Sequence, residues 1–181
     1  MNPQRQNDLS IVVATAAELS SQQRQEIIDL CTAAYNEEFT FFFAALPNSM
    51  HVLGYQAGLL VSHAAWVMRW LQPAGMHALR TAYVEAVATD PAHQGKGYAT
   101  AVMRHLAGQV DDYDLAGLSP SDPAFYARCG WELWRGPLAI RTDNGLLETP
   151  NEQVMILRLP RTPSLDLDAA LSAEWRAGEL W

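Results

Sequence analysis

The chain has 181 residues, a length that suits one domain around a single core. Its residues are 49% hydrophobic and 18% charged, the balance of a globular protein. A formal net charge of −8 argues against nucleic acid or an anionic membrane as the main partner, because both call for clustered Lys and Arg.

Leu9 to Ala14 is a compact β-branched run and predicts a first strand. Ser20 or Ser21 can cap the helix that follows, and Ile27, Leu30, Cys31 and Ala34 keep helical spacing to about Asn36. Four phenylalanines then lie beside two acids in Glu37–Phe43, which predicts either a ring-lined end of the core or the wall of a substrate cleft. Met50–Tyr55 and Leu59–Trp70 read as strands joined at Gln56-Ala57-Gly58, with His63 a packed or surface residue of the second rather than a catalytic one. His77–Thr89 is a long strand ending at Asp90-Pro91. Beyond a Gly-rich turn, Ala99, Val102, Met103, Leu106 and Val110 mark an amphipathic helix. Tyr113–Leu118 predicts a strand parallel to the one before the turn, and Ala124–Arg128 a short helix closed by Cys129-Gly130. Trp131–Arg141 and Gln153–Leu159 read as two further strands, and Leu165–Trp175 as a C-terminal helix. Without repeats, low-complexity segments or linkers, residues 1–181 are expected to form one domain.

The turn Gln94-Gly95-Lys96-Gly97-Tyr98-Ala99 carries the strongest chemical signal. It sends unpaired backbone N–H groups in one direction, and the helix behind it adds the positive end of its dipole, so together they suit a phosphate or pyrophosphate. A dinucleotide-binding G-x-G-x-x-G is one reading, but Thr100 stands at the third glycine position and no βαβ repeat precedes it. The alternative is Q/R-x-x-G-x-G/A, satisfied by Gln94, Gly97 and Ala99. About thirty residues on comes a second element, Tyr126-x-x-x-Gly130-Trp131.

These two elements resemble the acetyl-CoA pyrophosphate loop and the tyrosine-bearing helix of the GCN5-related N-acetyltransferase (GNAT) superfamily. Three segments are similar, more narrowly, to the aminoglycoside 2'-N-acetyltransferases: YVEAVA before the loop, FYARCGW after it, and the terminal SAEWRAGELW. The resemblance covers most of the chain and is clearer in its second half. It implies an α+β (α/β) GNAT fold: a mixed, mostly antiparallel central sheet, splayed between its fourth and fifth strands and flanked by helices. It also implies acetyl-CoA as co-substrate and direct acetyl transfer to a sugar amine.

Acetyl transfer requires that the amine lose a proton, that an oxyanion be stabilised, and that the departing thiolate be protonated. The resemblance gives the pyrophosphate to Gln94, Gly95, Lys96, Gly97, Tyr98 and Ala99, and the pantetheine arm to the backbone of Val87, Ala88 and Thr89. A backbone N–H near Val87 becomes the oxyanion donor. Glu85 becomes the general base through a water, with the terminal carboxylate of Trp181 as a second candidate, and Tyr126 the acid. Substrate contacts fall on Glu38, Glu85, the Ala86 backbone, Ser119, Asn151, Glu152 and Trp181. Thr40-Phe41-Phe42-Phe43 departs from the family, whose typical members carry a further acid there. That favours a less cationic aminoglycoside such as kasugamycin over the 2-deoxystreptamine type, with resistance to the antibiotic as the outcome. Another small-molecule or protein amine is the alternative substrate, and a non-catalytic CoA-binding module the alternative role.

His51, His63, His77, His93 and His105 are scattered and the two cysteines stand apart, so no metal is expected. The N-terminal stretch is polar and no apolar run approaches the ~20 residues that span a bilayer, which points to a cytoplasmic protein without a signal peptide. A homodimer is compatible with the superfamily.

Overall fold

The computed structural model describes residues 9–46 and 48–181, so most of the polar N-terminal stretch lies outside it. In chain order its elements are β1 (Leu9–Thr15), α1 (Ser21–Tyr35), α2 (Phe42–Ala45), β2 (Met50–Gln56), β3 (Leu59–Pro73), β4 (Leu79–Thr89), α3 (Tyr98–Ala107), β5 (Leu115–Leu118), α4 (Pro123–Arg128), β6 (Glu132–Leu133), β7 (Leu138–Thr142), β8 (Gly145–Glu148), β9 (Met155–Arg158) and β10 (Leu171–Glu174). They fall into two compact units, and β3 and β4 each contribute residues to both.

The first unit takes the chain up to Ala65 and Ala86–Leu106. β1 runs antiparallel to β2, from Leu9 opposite Gln56 to Thr15 opposite Met50. A two-residue turn leads to β3, with positive φ at Ala57 (49°) and Gly58 (82°), the primed geometry that matches strand twist. Helix α1 begins in a full capping box, where Ser20 Oγ accepts from Gln23 N and the Gln23 side chain accepts from Ser20 N. It buries Ile27, Leu30 and Cys31, the stripe expected from spacing. Helix α3 buries Tyr98, Val102, Met103 and Leu106.

The second unit takes Trp66–Glu85 and Ala107–Trp181, with strand order β6-β9-β5-β4-β3-β10-β7-β8. The β4–β5 ladder is parallel and short: Thr81, Ala82 and Tyr83 face Leu115, Ala116 and Gly117. β5 ends one residue later, while β4 runs on to Thr89 without a further rung to it. This is the expected splay. Leu71, Tyr83, Trp134, Ile140, Leu171, Ala173 and Trp181 are among the residues that close the core.

Two expectations are corrected. Leu165–Trp175 is not a helix, because Leu171–Glu174 forms β10, antiparallel to β3 and parallel to β7. Leu171 and Ala173 are buried while Ser172 and Glu174 are half-buried, a period of two set by pairing on both sides. Trp131–Arg141 is not one strand. It breaks at Arg135-Gly136-Pro137, where the Arg135 and Gly136 amides turn to Leu167 O and Pro137 has no amide to give. β6 pairs with β9, whereas β7 pairs with β8 and β10.

At Gly136 a Cβ would stand 1.9 Å from Ala169 O, a backbone atom that cannot swing aside. Gly136→Ala is therefore expected to cost about 3 kcal/mol or more. In thermal unfolding that corresponds to a Tm lower by roughly 6–12 °C, and an unchanged Tm would contradict this packing.

Candidate active site

The strand that ends in the Gly-rich turn is shaped by side chains from α1 and β3. Ala86 is left-handed (φ 49°), a strained state for a residue with a Cβ that costs about 1–3 kcal/mol. Its carbonyl accepts from His63 Nδ1 at 2.9 Å. Tyr35 donates its hydroxyl to Val87 O at 2.9 Å, and Ser62 Oγ donates to Ala88 O at 3.1 Å while meeting Thr89 Oγ1 at 2.9 Å. β4 thus has its carbonyls held at three successive residues.

Asp90 ends the strand. Its N–H donates to Val61 O, and its carboxylate accepts from Ala92 N at 2.8 Å and His93 Nδ1 at 3.0 Å, which builds a 3-10 turn over Pro91–His93. Gln94 is extended, Gly95 and Gly97 have φ of 73° and 83°, and α3 begins at Tyr98. Gly97 takes a conformation that other residues rarely adopt, and it does so where the chain enters the helix. Helix geometry leaves the first-turn amides of α3 without intrahelical acceptors, facing the turn. Gln94, Gly95, Lys96 and Gly97 are exposed and Tyr98 is buried, so the turn is an accessible backbone cradle on a packed base.

Phe39–Phe43 turns largely inward. Phe42 is buried, edge-on to His51 and His63 at 6.2 Å each, and Phe43 lies on His51 at 5.4 Å beneath the Arg24 guanidinium at 5.1 Å. Phe39 stacks on Tyr35, and Phe41 alone of the four is largely exposed. Glu38 is exposed, and its carboxylate accepts from the Thr40 hydroxyl and amide, which lower its pKa in that order of size.

In the second unit Glu85 meets Arg176 Nη1 at 2.6 Å, with side chains only 17% and 19% exposed. Burial raises the Glu85 pKa, and the neighbouring Arg176 charge and hydrogen bond oppose it without prevailing. Arg176 also donates to Glu179 O and, at 3.2 Å, to the main-chain oxygen of Trp181. The buried Arg69 donates to Glu174 O and Leu180 O, both at 2.8 Å. Both guanidiniums lie near the Tyr83 ring, at 4.9 and 5.7 Å from its centre. Residues 174–181 are therefore bound by two arginines, and Trp181 is pinned by its indole, which donates to Thr149 Oγ1 at 2.8 Å. Thr149 and Glu152 line a cleft of about 720 Å³ with Trp134, Pro137 and Leu138. Asn151 and Ser119 are exposed, the first between β8 and β9 and the second directly after β5.

Tyr126 is buried in α4, whose first turn is capped by the Asp122 carboxylate. Its ring lies edge-on to Phe125 and Trp131. Burial first, then the nearby Cys129, pushes its hydroxyl up to about 12, so it stays protonated at neutral pH. Cys31 is buried and likewise pushed up to about 12 by burial, which is the state of an inert thiol. Among the described residues no group of His, Cys, Asp and Glu gathers as metal ligands, and no helix is long and apolar enough to cross a membrane.

The structure brings Glu85 and Trp181 together through Arg176, a residue to which sequence reasoning assigned no role. Arg69, Tyr35, Ser62 and His51 were also missed. Isolated polar residues in strands and in a short tail carry no spacing signal, and only their partners reveal them.

Residues 15–134 match the acetyltransferase (GNAT) domain family. The chain is 37% identical over 141 residues to an aminoglycoside 2'-N-acetyltransferase from Mycolicibacterium fortuitum, covering 74% of this chain and 72% of that protein. In fold it is similar to the GNAT family N-acetyltransferase YhbS from Escherichia coli, solved in complex with CoA, with a TM-score of 0.63, 15% identity, and coverage of 93% and 91%. It is also similar to Eis1 from Mycobacterium abscessus, with a TM-score of 0.60 and 17% identity over 72% of this chain but only 33% of that one. A probable N-acyltransferase from Enterococcus faecalis gives 0.59 at 21% identity, over 71% of this chain and again 33% of the other. The chain therefore belongs to the GNAT acetyltransferases and, within them, to the aminoglycoside 2'-N-acetyltransferase family. It is an acyltransferase of the kind that uses an acyl-CoA.

The Tyr83 hydroxyl is fully buried and finds no hydrogen-bond partner among the described residues. Removing a buried polar group that nothing satisfies is neutral or favourable, by up to about 1–3 kcal/mol. Tyr83→Phe is expected to keep or raise the unfolding midpoint in urea, and a clearly lower midpoint would show that the hydroxyl is satisfied.

Proposed function

We propose that this enzyme transfers the acetyl group of acetyl-CoA to the 2'-amino group of an aminoglycoside antibiotic and so confers resistance to it. The reading rests above all on the kinship with an aminoglycoside 2'-N-acetyltransferase, and the buried, Arg-paired Glu85, beyond the last rung of β4 to β5, supports it. In this reading Gln94–Ala99 hold the pyrophosphate through backbone N–H groups and the dipole of α3. Val87, Ala88 and Thr89 pair with the pantetheine arm, and the Val87 N–H receives the oxyanion.

The sugar amine attacks the thioester carbonyl, the C–S bond breaks, and no covalent enzyme intermediate forms. Glu85 takes the ammonium proton through a water, and its raised pKa makes it a better base than an ordinary carboxylate. Tyr126 gives its proton to the leaving thiolate and regains one from solvent. Glu38, the Ala86 backbone, Ser119, Asn151, Glu152 and Trp181 contact the aminoglycoside, and the excess of acid steers a cation towards them. With phenylalanines where family members carry a further acid, the favoured substrate is a less cationic aminoglycoside of the kasugamycin type.

The first test is thiol release from acetyl-CoA across an antibiotic panel. Turnover is expected with 2'-amino aminoglycosides, kasugamycin foremost, and turnover only with other amines would refute the assignment. The second is a pH profile. A base must be deprotonated, so kcat/KM should fall as pH drops through the Glu85 pKa. Arg176 is the main influence holding that pKa down, so Arg176→Met is expected to shift the acid limb to higher pH, and Glu85→Gln to abolish it. A limb that survives Glu85→Gln points to a terminal carboxylate at Trp181 instead. Tyr126→Phe should lower kcat by about 10²-fold with acetyl-CoA affinity intact, and loss of that affinity would make its role structural.

A further inference from the structure

A chain of buried polar side chains runs through the first unit and ends on β4. Ser49 Oγ lies 2.9 Å from His51 Nε2, His51 Nδ1 lies 3.0 Å from His63 Nε2, and His63 Nδ1 lies 2.9 Å from Ala86 O. Ser49, His51 and His63 are all 0% exposed.

The direction of every bond follows from the last one. A carbonyl only accepts, so His63 carries its proton on Nδ1. Its Nε2, unprotonated in a neutral ring, must accept from His51 Nδ1. His51 Nε2 must in turn accept from the Ser49 hydroxyl. Burial lowers the pKa of His51 to about 4 and of His63 to about 3, so both rings are neutral at pH 7. Phe42, Phe43 and the Cys31 thiol, 4.0 Å from His63 Nδ1, enclose the pair in apolar surroundings. The chain cannot relay a proton to the site, because a peptide carbonyl neither donates nor keeps one. What it can do is hold a carbonyl in place.

We propose that Ser49, His51 and His63 are positioning residues for acetyl transfer: they lock the left-handed conformation of Ala86, and with it the angle between the Glu85 carboxylate and the Val87 N–H on either side. The inference rests on the acetyltransferase function proposed above. Ala86 is the residue of β4 with positive φ, and it stands between the proposed base and the proposed oxyanion donor. Three buried polar groups are a costly way to fill a core that three apolar residues would fill well. They are economical if the purpose is to fix one backbone carbonyl, and the inward-facing phenylalanines then serve to keep water away from that chain.

The test compares His63→Asn, whose amide can place an N–H where Nδ1 donates, with His63→Gln, whose amide lies at the Nε2 position. His63→Gln is expected to lower kcat by about 10–100-fold while KM for acetyl-CoA stays within about threefold, and His63→Asn to recover most of the loss. In the unmodified protein, nitrogen-15 NMR should find both imidazoles neutral with the proton on Nδ1 at pH 7. Equal losses in the two variants, no loss in either, or a proton on Nε2 of either ring would overturn the proposal. Should both variants fail to fold, Ser49→Ala decides: a lower kcat at unchanged KM supports it, and an unchanged kcat refutes it. An unmodified enzyme inactive on every aminoglycoside removes the function itself and this inference with it; an active one with indifferent variants removes the inference alone.

Discussion

Everything of chemical interest depends on β4 losing one of its neighbours. Up to Tyr83 the strand is paired to β5, and past that point it runs on with no rung to it. A strand edge offers backbone N–H and C=O groups to whatever lies alongside, and an extended thioester arm is a natural occupant. Further along, Ala86 is left-handed and interrupts the extended backbone of the strand. The same strand then ends in the Asp90 cap, the glycine turn and α3, so one continuous stretch carries carboxylate, open edge and anion cradle in that order.

The second physical theme is the opposition of burial and pairing around Glu85. Burial alone would push the carboxyl towards neutrality, and Arg176 alone would keep it strongly acidic. The balance leaves its pKa raised yet the group ion-paired, which suits a base that works in partial seclusion from solvent. Arg176 can hold that place because the tail is itself anchored, by Arg69 to the Glu174 and Leu180 carbonyls and by the Trp181 indole to Thr149. A segment of eight residues with little regular structure is thereby anchored at both ends.

How much of this could be read beforehand varies with the kind of signal. The Gly-rich turn, α1 and α3 were legible because spacing and caps are local properties. Tyr126 and the terminal WRAGELW were legible through resemblance. β10 was misread because LDLDAALSAEW has enough alanine and leucine for a helix, and only pairing with β3 and β7 decides against it. The break at Gly136-Pro137 has a local signal in the proline, but the close approach to Ala169 O that demands the glycine lies far along the chain. The histidine chain and the two arginines that hold the tail are defined by partners distant in sequence, and no pattern of residue types announces them. Phe39–Phe43 was open to two readings, and Phe42 and Phe43 pack against His51.

In the proposed function the β4 edge past Tyr83 and the turn before α3 receive acetyl-CoA. Hydrogen exchange resolved to single amides, with and without saturating acetyl-CoA, tests it most directly. Slower exchange is expected at Val87 and at the amides of Gly95 to Ala99, with the amides of β1 unchanged. Protection that appears elsewhere and leaves these amides as they were would contradict it.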